Sequence, residues 1–443
     1  MDIYPLFFLL VFSLGSVASL LKDPLWGLLV YVYVYYNIPA HQWWGGQLPD
    51  LRWSMISAVI LLTSCFLHKE KLSSMSWKEN KVGLILLALL ALMIVVMPFT
   101  PNPDRSWGKI YDFFRYVLIF FIVGKVLSDF RRYKFFIGIL SFCTFYLTML
   151  AQHYFHGSRL DGVGLPDGSD ANMLAALMVL FIPIFVVIGI TERGWQRWAA
   201  FAAMPFVLNT FVMCGSRGAF VGLAVEGAIA VWLLRKKIGT TKAVICCGVV
   251  AVMLLFLMSD QYRDRLLGME NSIQEGSVTE NSAGRWEIWQ YGFQMSKDYP
   301  LGAGGDSFMA LSPNYIPNFL LSSEVGVRAS HNTYLLILVE QGYLGLLIFF
   351  IYLWRQFRAL VLTRKVLPIN EVTDEQKKII FHSYALQIGL AGFWSAAVFI
   401  DRLYFEAIYL VIATVPVLLY LAKQSCRDVS AKDTSVRVAA VTR

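Results

Sequence analysis

The sequence predicts an all-α polytopic membrane protein, and three observations combine to predict it. Hydrophobic residues fill 57% of the 443 positions and charged residues only 15%, whereas soluble domains are about 45–50% apolar. Apolar runs of roughly 17 to 22 residues recur from end to end, each long enough to cross a hydrocarbon core of about 30 Å as a helix. Lysine and arginine collect in every second gap between those runs, the pattern that marks cytoplasmic loops.

About 12 or 13 runs qualify as transmembrane helices. They centre within 4–21, 24–38, 53–67, 82–98, 109–127, 134–152, 171–190, 198–214, 219–234, 243–258, 332–354, 379–399 and 403–422. Only Lys22-Asp23-Pro24 divides the first two, so the N-terminal count stays open. Asp2 stands where a secretory signal carries a basic region, and the first run is therefore expected to remain as structure. The basic gaps include Lys69 to Lys81, Arg131 to Lys134, Arg193 and Arg197, Arg235 to Lys242, Arg355 to Lys378, and Lys423 with Arg427. The alternate gaps, 99–108, 153–170, 214–218, 259–330 and 400–402, then face outward. The chain divides accordingly into N-terminal helices over 1–152, central helices over 153–258, a large outer loop over 259–330, C-terminal helices over 331–422 and a cytoplasmic tail over 423–443.

In chain order, the first runs carry an aromatic band, Tyr31, Tyr33, Tyr35, Tyr36, Trp43 and Trp44, as expected at headgroup level. The proline-rich gap from Pro98 to Trp107 reads as a rigid turn without chemistry. The next outer gap holds His153, His156, Arg159, Asp161, Asp167 and Asp170. One histidine pair without a third rigid ligand is a poor metal site, and Asp170 is placed to cap the helix opening at Asn172. Cys214-Gly215-Ser216-Arg217-Gly218 is a very tight turn. It holds Arg217 at the membrane boundary, where a planar fork of donors suits phosphate oxygens. The six cysteines lie in or beside apolar runs without Cys-x-x-Cys spacing and read as small buried thiols.

The long polar interval from Ser259 to Ala329 differs in kind from the rest. Five basic residues against nine acidic ones give it a net charge of −4, while the whole chain is +8. Within it, Trp286, Trp289 and Phe293 fall at helical spacing after Arg285. An arginine in a helix's first turn opposes the macrodipole unless an anion is present. Pro300 to Gly305 is glycine-rich but lacks the Lys-Ser/Thr ending of a P-loop, so no nucleotide motif is assigned. The interval ends at Ser330-His331-Asn332-Thr333, where His331 can serve as a general base, and Glu340 follows inside the apolar run.

The order Asp170-x-Asn172, Gly215-Ser216-Arg217-Gly218, Gly284-Arg285-x-x-x-Trp289, Asp298 to Gly304, Ser330-His331-Asn332 and Glu340-Gln341-Gly342-x-x-Gly345 resembles the O-antigen ligase and polymerase superfamily. The likeness spans roughly 155–355. A weaker likeness in the N-terminal part is to ligase-like proteins of exopolysaccharide or exosortase-associated clusters. The superfamily resemblance implies a GT-C-like glycosyltransferase of the bacterial inner membrane that works on the periplasmic face without metal or other cofactor. It implies a donor glycan carried on undecaprenyl pyrophosphate and an acceptor hydroxyl on lipid A-core, another glycan or a protein, with membrane lipids around it and no nucleic acid. By correspondence of motifs, Arg217 and Arg285 bind the pyrophosphate and His331 activates the acceptor. Arg159, Asp170, Asn172, Ser216, Trp289, Asn332 and Glu340 are the remaining candidates for substrate binding. The family's Gly-x-x-x-Asn/Asp-Pro-Asn pattern reads Gly168-Ser169-Asp170-Ala171-Asn172 here, a departure that bears on Asp170 and Asn172. Polymerase and ligase share these residues, and a lipid-linked sugar transporter is the alternative of a different class.

Overall fold

The computed structural model describes residues 3–155, 160, 163, 170–257, 282–321, 326–368 and 372–441. Among them every regular element is helical. The helices are α1 Ile3–Leu21, α2 Pro24–Tyr36, α3 Trp53–Leu67, α4 Lys81–Val96, α5 Pro103–Val126, α6 Phe130–Tyr154, α7 Ala171–Thr191, α8 Trp195–Met213, α9 Arg217–Ile238 and α10 Thr240–Leu257. After the polar interval begin α11 Ser282–Asp298, α12 Ser307–Tyr315, α13 Thr333–Val366, α14 Asp374–Ala396, α15 Glu406–Ile412 and α16 Thr414–Val441.

All thirteen apolar runs are carried by helices, the last of them divided between α15 and α16. Among the described residues, seven spans are long and apolar enough on their own to cross a membrane. Two of the others are simply short. α2 has 13 residues, a rise of about 20 Å, and α3 has 15. The last run is one of the seven spans, although its helix breaks at Ala413, where Pro416 has no N–H to give the Ile412 carbonyl.

Burial separates the middle of the bundle from its margin. The α7 span is 83% buried and packs against α8, α9 and α14, while the α1 span is only 28% buried. α1, α2 and α3 close their own small aromatic core, in which Phe8 meets Trp53 edge-on at 5.3 Å. Tyr31 of α2 ties this group to the main core by donating to the buried Glu406 carboxylate.

α13 is broken within its third turn. Gly342 has φ 69° and ψ −174°, a conformation open to glycine, and the helical ladder stops there. The released carbonyls are taken up by the glycine-rich turn before it. Ala303 N–H donates to Val339 O at 2.9 Å and Gly304 N–H to Glu340 O at 2.9 Å, while Tyr343 N–H donates to Pro300 O at 3.1 Å. A Cβ on Gly302 would lie 2.6 Å from the Glu340 carbonyl oxygen, so the approach excludes any side chain. The turn sequence analysis set aside as a phosphate motif is thus a docking device for α13. The Pro98 to Trp107 segment holds the same turn from the other side, with Ser106 Oγ donating to Gly305 O at 3.1 Å and Arg105 paired to Asp306 at 3.2 Å.

Candidate functional site

Four segments meet at the N-terminal end of α7: the start of α9, the first turns of α11, the Ser330–Thr333 turn and the 399–402 connection after α14. The last of these organises the others. A Cβ on Gly218 would stand 2.5 Å from Phe399 Cβ, so the Arg217 turn lies directly against that ring. Phe399 packs on Trp289 with ring centroids 6.3 Å apart, and the Trp289 indole N–H donates to Ser330 O at 3.0 Å.

The histidine turn is held from below by a single carboxylate. Asp401 accepts from the His331 backbone N–H at 2.9 Å, from the Asn332 N–H at 2.8 Å and from the Ser330 hydroxyl. His331 has φ 47°, one of two non-glycine residues with positive φ among the described residues. That conformation is uncommon for any residue that carries a Cβ, although histidine adopts it more readily than most, and it persists where the surroundings over-determine it. Asp401 binds the backbone of His331, so it fixes where the ring starts rather than which ring nitrogen carries the proton. Thr333 completes the turn, donating to Ile400 O at 2.5 Å and accepting from Arg402 N–H at 2.9 Å.

The ion pairs extend the clamp to α7. Arg402 contacts Asp170 at 2.8 Å, and Asp170 also caps the helix by accepting from the Asn172 N–H and side-chain amide, both at 3.0 Å. Burial holds the His331 imidazole below its ordinary value of 6.5. The Asp401 charge opposes that shift, and the Arg285 and Arg328 charges reinforce it. At neutral pH the ring is therefore an uncharged base with two guanidinium groups in electrostatic range.

The remaining predicted residues divide by role. Arg217 is exposed at the first position of α9, while Ser216 is buried beneath it and caps the helix by accepting from Ala219 N–H at 3.3 Å. Asn332 caps α13, accepting from Tyr334 N–H at 3.0 Å and Leu335 N–H at 3.1 Å. Glu340 is buried two turns below and accepts from the Tyr404 hydroxyl at 2.8 Å. That bond satisfies the intramembrane carboxylate by packing, apart from the histidine turn. Arg159 lies outside the described residues, as does His156. His153 packs at a tilt on Trp43, with centroids 4.9 Å apart. No group of three His, Cys, Asp or Glu side chains close enough for a metal occurs among the described residues.

Sequence reasoning passed over Asp401, Arg402, Arg328 and Phe399. The available signal was the Asp401-Arg402 dipeptide, a charge pair alone between two apolar runs in a gap already assigned to the outer face.

Fold and site together define a multi-pass helical membrane protein that gathers a base, arginines and a clamping carboxylate at one end of its bundle. Residues 202–350 match the family model Wzy_C, described as O-antigen ligase, and the likeness of this segment supports the resemblance to the O-antigen ligase and polymerase superfamily. The match runs from α8 into the first half of α13 and includes Arg217, Arg285, His331 and Glu340. No curated protein matches the chain.

Proposed function

We propose that the protein is an O-antigen ligase-like glycosyltransferase that moves a glycan from undecaprenyl pyrophosphate to a hydroxyl of lipid A-core or a comparable acceptor. The alternation of basic loops supports a site on the periplasmic face of the inner membrane. The observation that carries the reading is the histidine turn: a base held uncharged by burial, on a backbone pinned by Asp401, with Arg285 in electrostatic range.

In this reaction the acceptor oxygen attacks the anomeric carbon as its proton passes to the His331 imidazole. The bond from that carbon to the pyrophosphate oxygen breaks, and its electron pair leaves with the pyrophosphate. Arg217 and Arg285 stabilise the charge that grows on the leaving oxygens through charge-assisted hydrogen bonds. Attack opposite the leaving group inverts the anomeric configuration. A product with retained configuration would rule out a single displacement.

The deciding experiment compares the surface glycan of a deletion strain complemented with wild type or with His331→Ala at equal membrane abundance. Long glycan stranded on the polyprenyl carrier and missing from its acceptor supports the ligase. Single repeat units on the acceptor without long chains assign a polymerase instead. A profile unchanged by the substitution removes the catalytic proposal and favours transport.

A further inference from the structure

A second feature lies at the far end of the bundle. Arg355 lies 12 residues beyond Tyr343 in the part of α13 that follows the break at Gly342, a rise of about 18 Å. There a cavity of about 250 Å³ opens between α4, the last turns of α13 and α16. Five cations line it, Lys78, Lys81, Arg355, Arg358 and Lys423, against one carboxylate, Glu79. Glu79 is engaged locally, accepting from the Ser76 N–H at 2.9 Å. Ion pairs at this end of the molecule use other cations: Arg132 meets Asp23 at 2.6 Å, and Lys134 and Lys378 meet Glu192 at 3.2 and 2.8 Å.

The two arginines are held together rather than dispersed. Their guanidinium carbons sit 4.7 and 4.9 Å from the centroid of the Trp354 ring. Arg355 Nε is buried with no hydrogen-bond partner among the described residues. A buried donor left unsatisfied costs about 1–3 kcal/mol, and five like charges around one small volume repel unless an anion intervenes. The walls are of opposite character, with Val82, Leu362, Val366 and Leu419 facing the same space. A soluble anion would answer the charges and leave those walls wet. An amphiphile answers both.

We propose that this cavity is a binding site for an anionic phospholipid of the cytoplasmic leaflet, the phosphate between Arg355, Arg358 and the lysines and the acyl chains along Val82, Leu362 and Leu419. The site is independent of the glycan chemistry and stands or falls apart from it. The arrangement matches the general preference of basic pockets between transmembrane helices for anionic headgroups.

The test is native mass spectrometry of the full chain in detergent micelles doped with dioleoyl phosphatidylglycerol or dioleoyl phosphatidylcholine, with and without inorganic phosphate. One phosphatidylglycerol is retained per chain, phosphatidylcholine is not, and inorganic phosphate does not displace it. Arg355→Gln with Arg358→Gln weakens retention about thirty-fold, equivalent to about 2 kcal/mol at about 1.4 per factor of ten. Leu362→Trp, which fills the cavity and keeps every charge, weakens retention as well. Equal retention of both lipids, displacement by inorganic phosphate alone, or undiminished retention in Leu362→Trp would each overturn the proposal, the last by reducing it to diffuse charge attraction.

Discussion

The two turns that bring His331 and Arg217 to the same end of the bundle are built on opposite principles. The His331 backbone is forced into positive φ and pinned by a carboxylate whose own neighbour, Arg402, is tied to α7. Arg217 begins a helix whose cap is made by Ser216, and its side chain extends outward from a buried turn. A base must stand within hydrogen-bond reach of one proton, and small displacements are costly. A guanidinium that meets a mobile pyrophosphate can close on it after arrival. The contrast teaches that rigidity here is local to the proton transfer.

The strongest attempt to break this contrast is His331→Ala. Transfer in membranes should fall by about 10²–10⁴, the usual span for a general base, and a loss no greater than that of a surface control would end the distinction. Next comes Arg217→Lys, which keeps charge but loses the fork. Turnover should drop about ten- to hundred-fold from one or two lost charge-assisted bonds, measured with radiolabelled lipid-linked glycan.

The pH profile sharpens the comparison with opposite signs. Because burial holds His331 below 6.5, activity should persist as pH falls through that value and fail only at lower pH, as the ring gains its proton. Arg285→Gln removes a charge that lowers the histidine, so the acid limb of the residual activity should move up. Asp401→Asn removes one that raises it, so that limb should move down, and no shift in either would show that neither charge is felt at the ring. The smallest effect is on stability. Asn332→Ala deletes the α13 cap and should cost about 1 kcal/mol, read as a lower midpoint in thermal unfolding.

The bundle was legible because hydrocarbon thickness and solvation impose a length and a polarity on each span, and these leave their mark in one stretch of sequence. The turn residues Arg217 and His331 were legible because a charged or titratable group at a span boundary stands out against its neighbours. Asp401 was marked only by standing with Arg402 between two apolar runs, and the contact that gives it meaning crosses 70 positions to His331. Glu340 shows the converse. Its place in an apolar run suggested a functional carboxylate, yet its partner, Tyr404, is 64 positions away and satisfies it. The glycines at 302 and 304 were read as a glycine-rich turn without a nucleotide motif, and their use depends on a break at Gly342 that composition does not announce.

That break has a bearing on biosynthesis. Residues 300–304 leave the ribosome before α13 does, so the donors for Val339 and Glu340 exist when those carbonyls first approach the bilayer. Reversing the order would expose unpaired carbonyls to hydrocarbon at several kcal/mol each. The chain thus presents its polar turn as a waiting partner, and the helix that follows is completed by a segment synthesised before it.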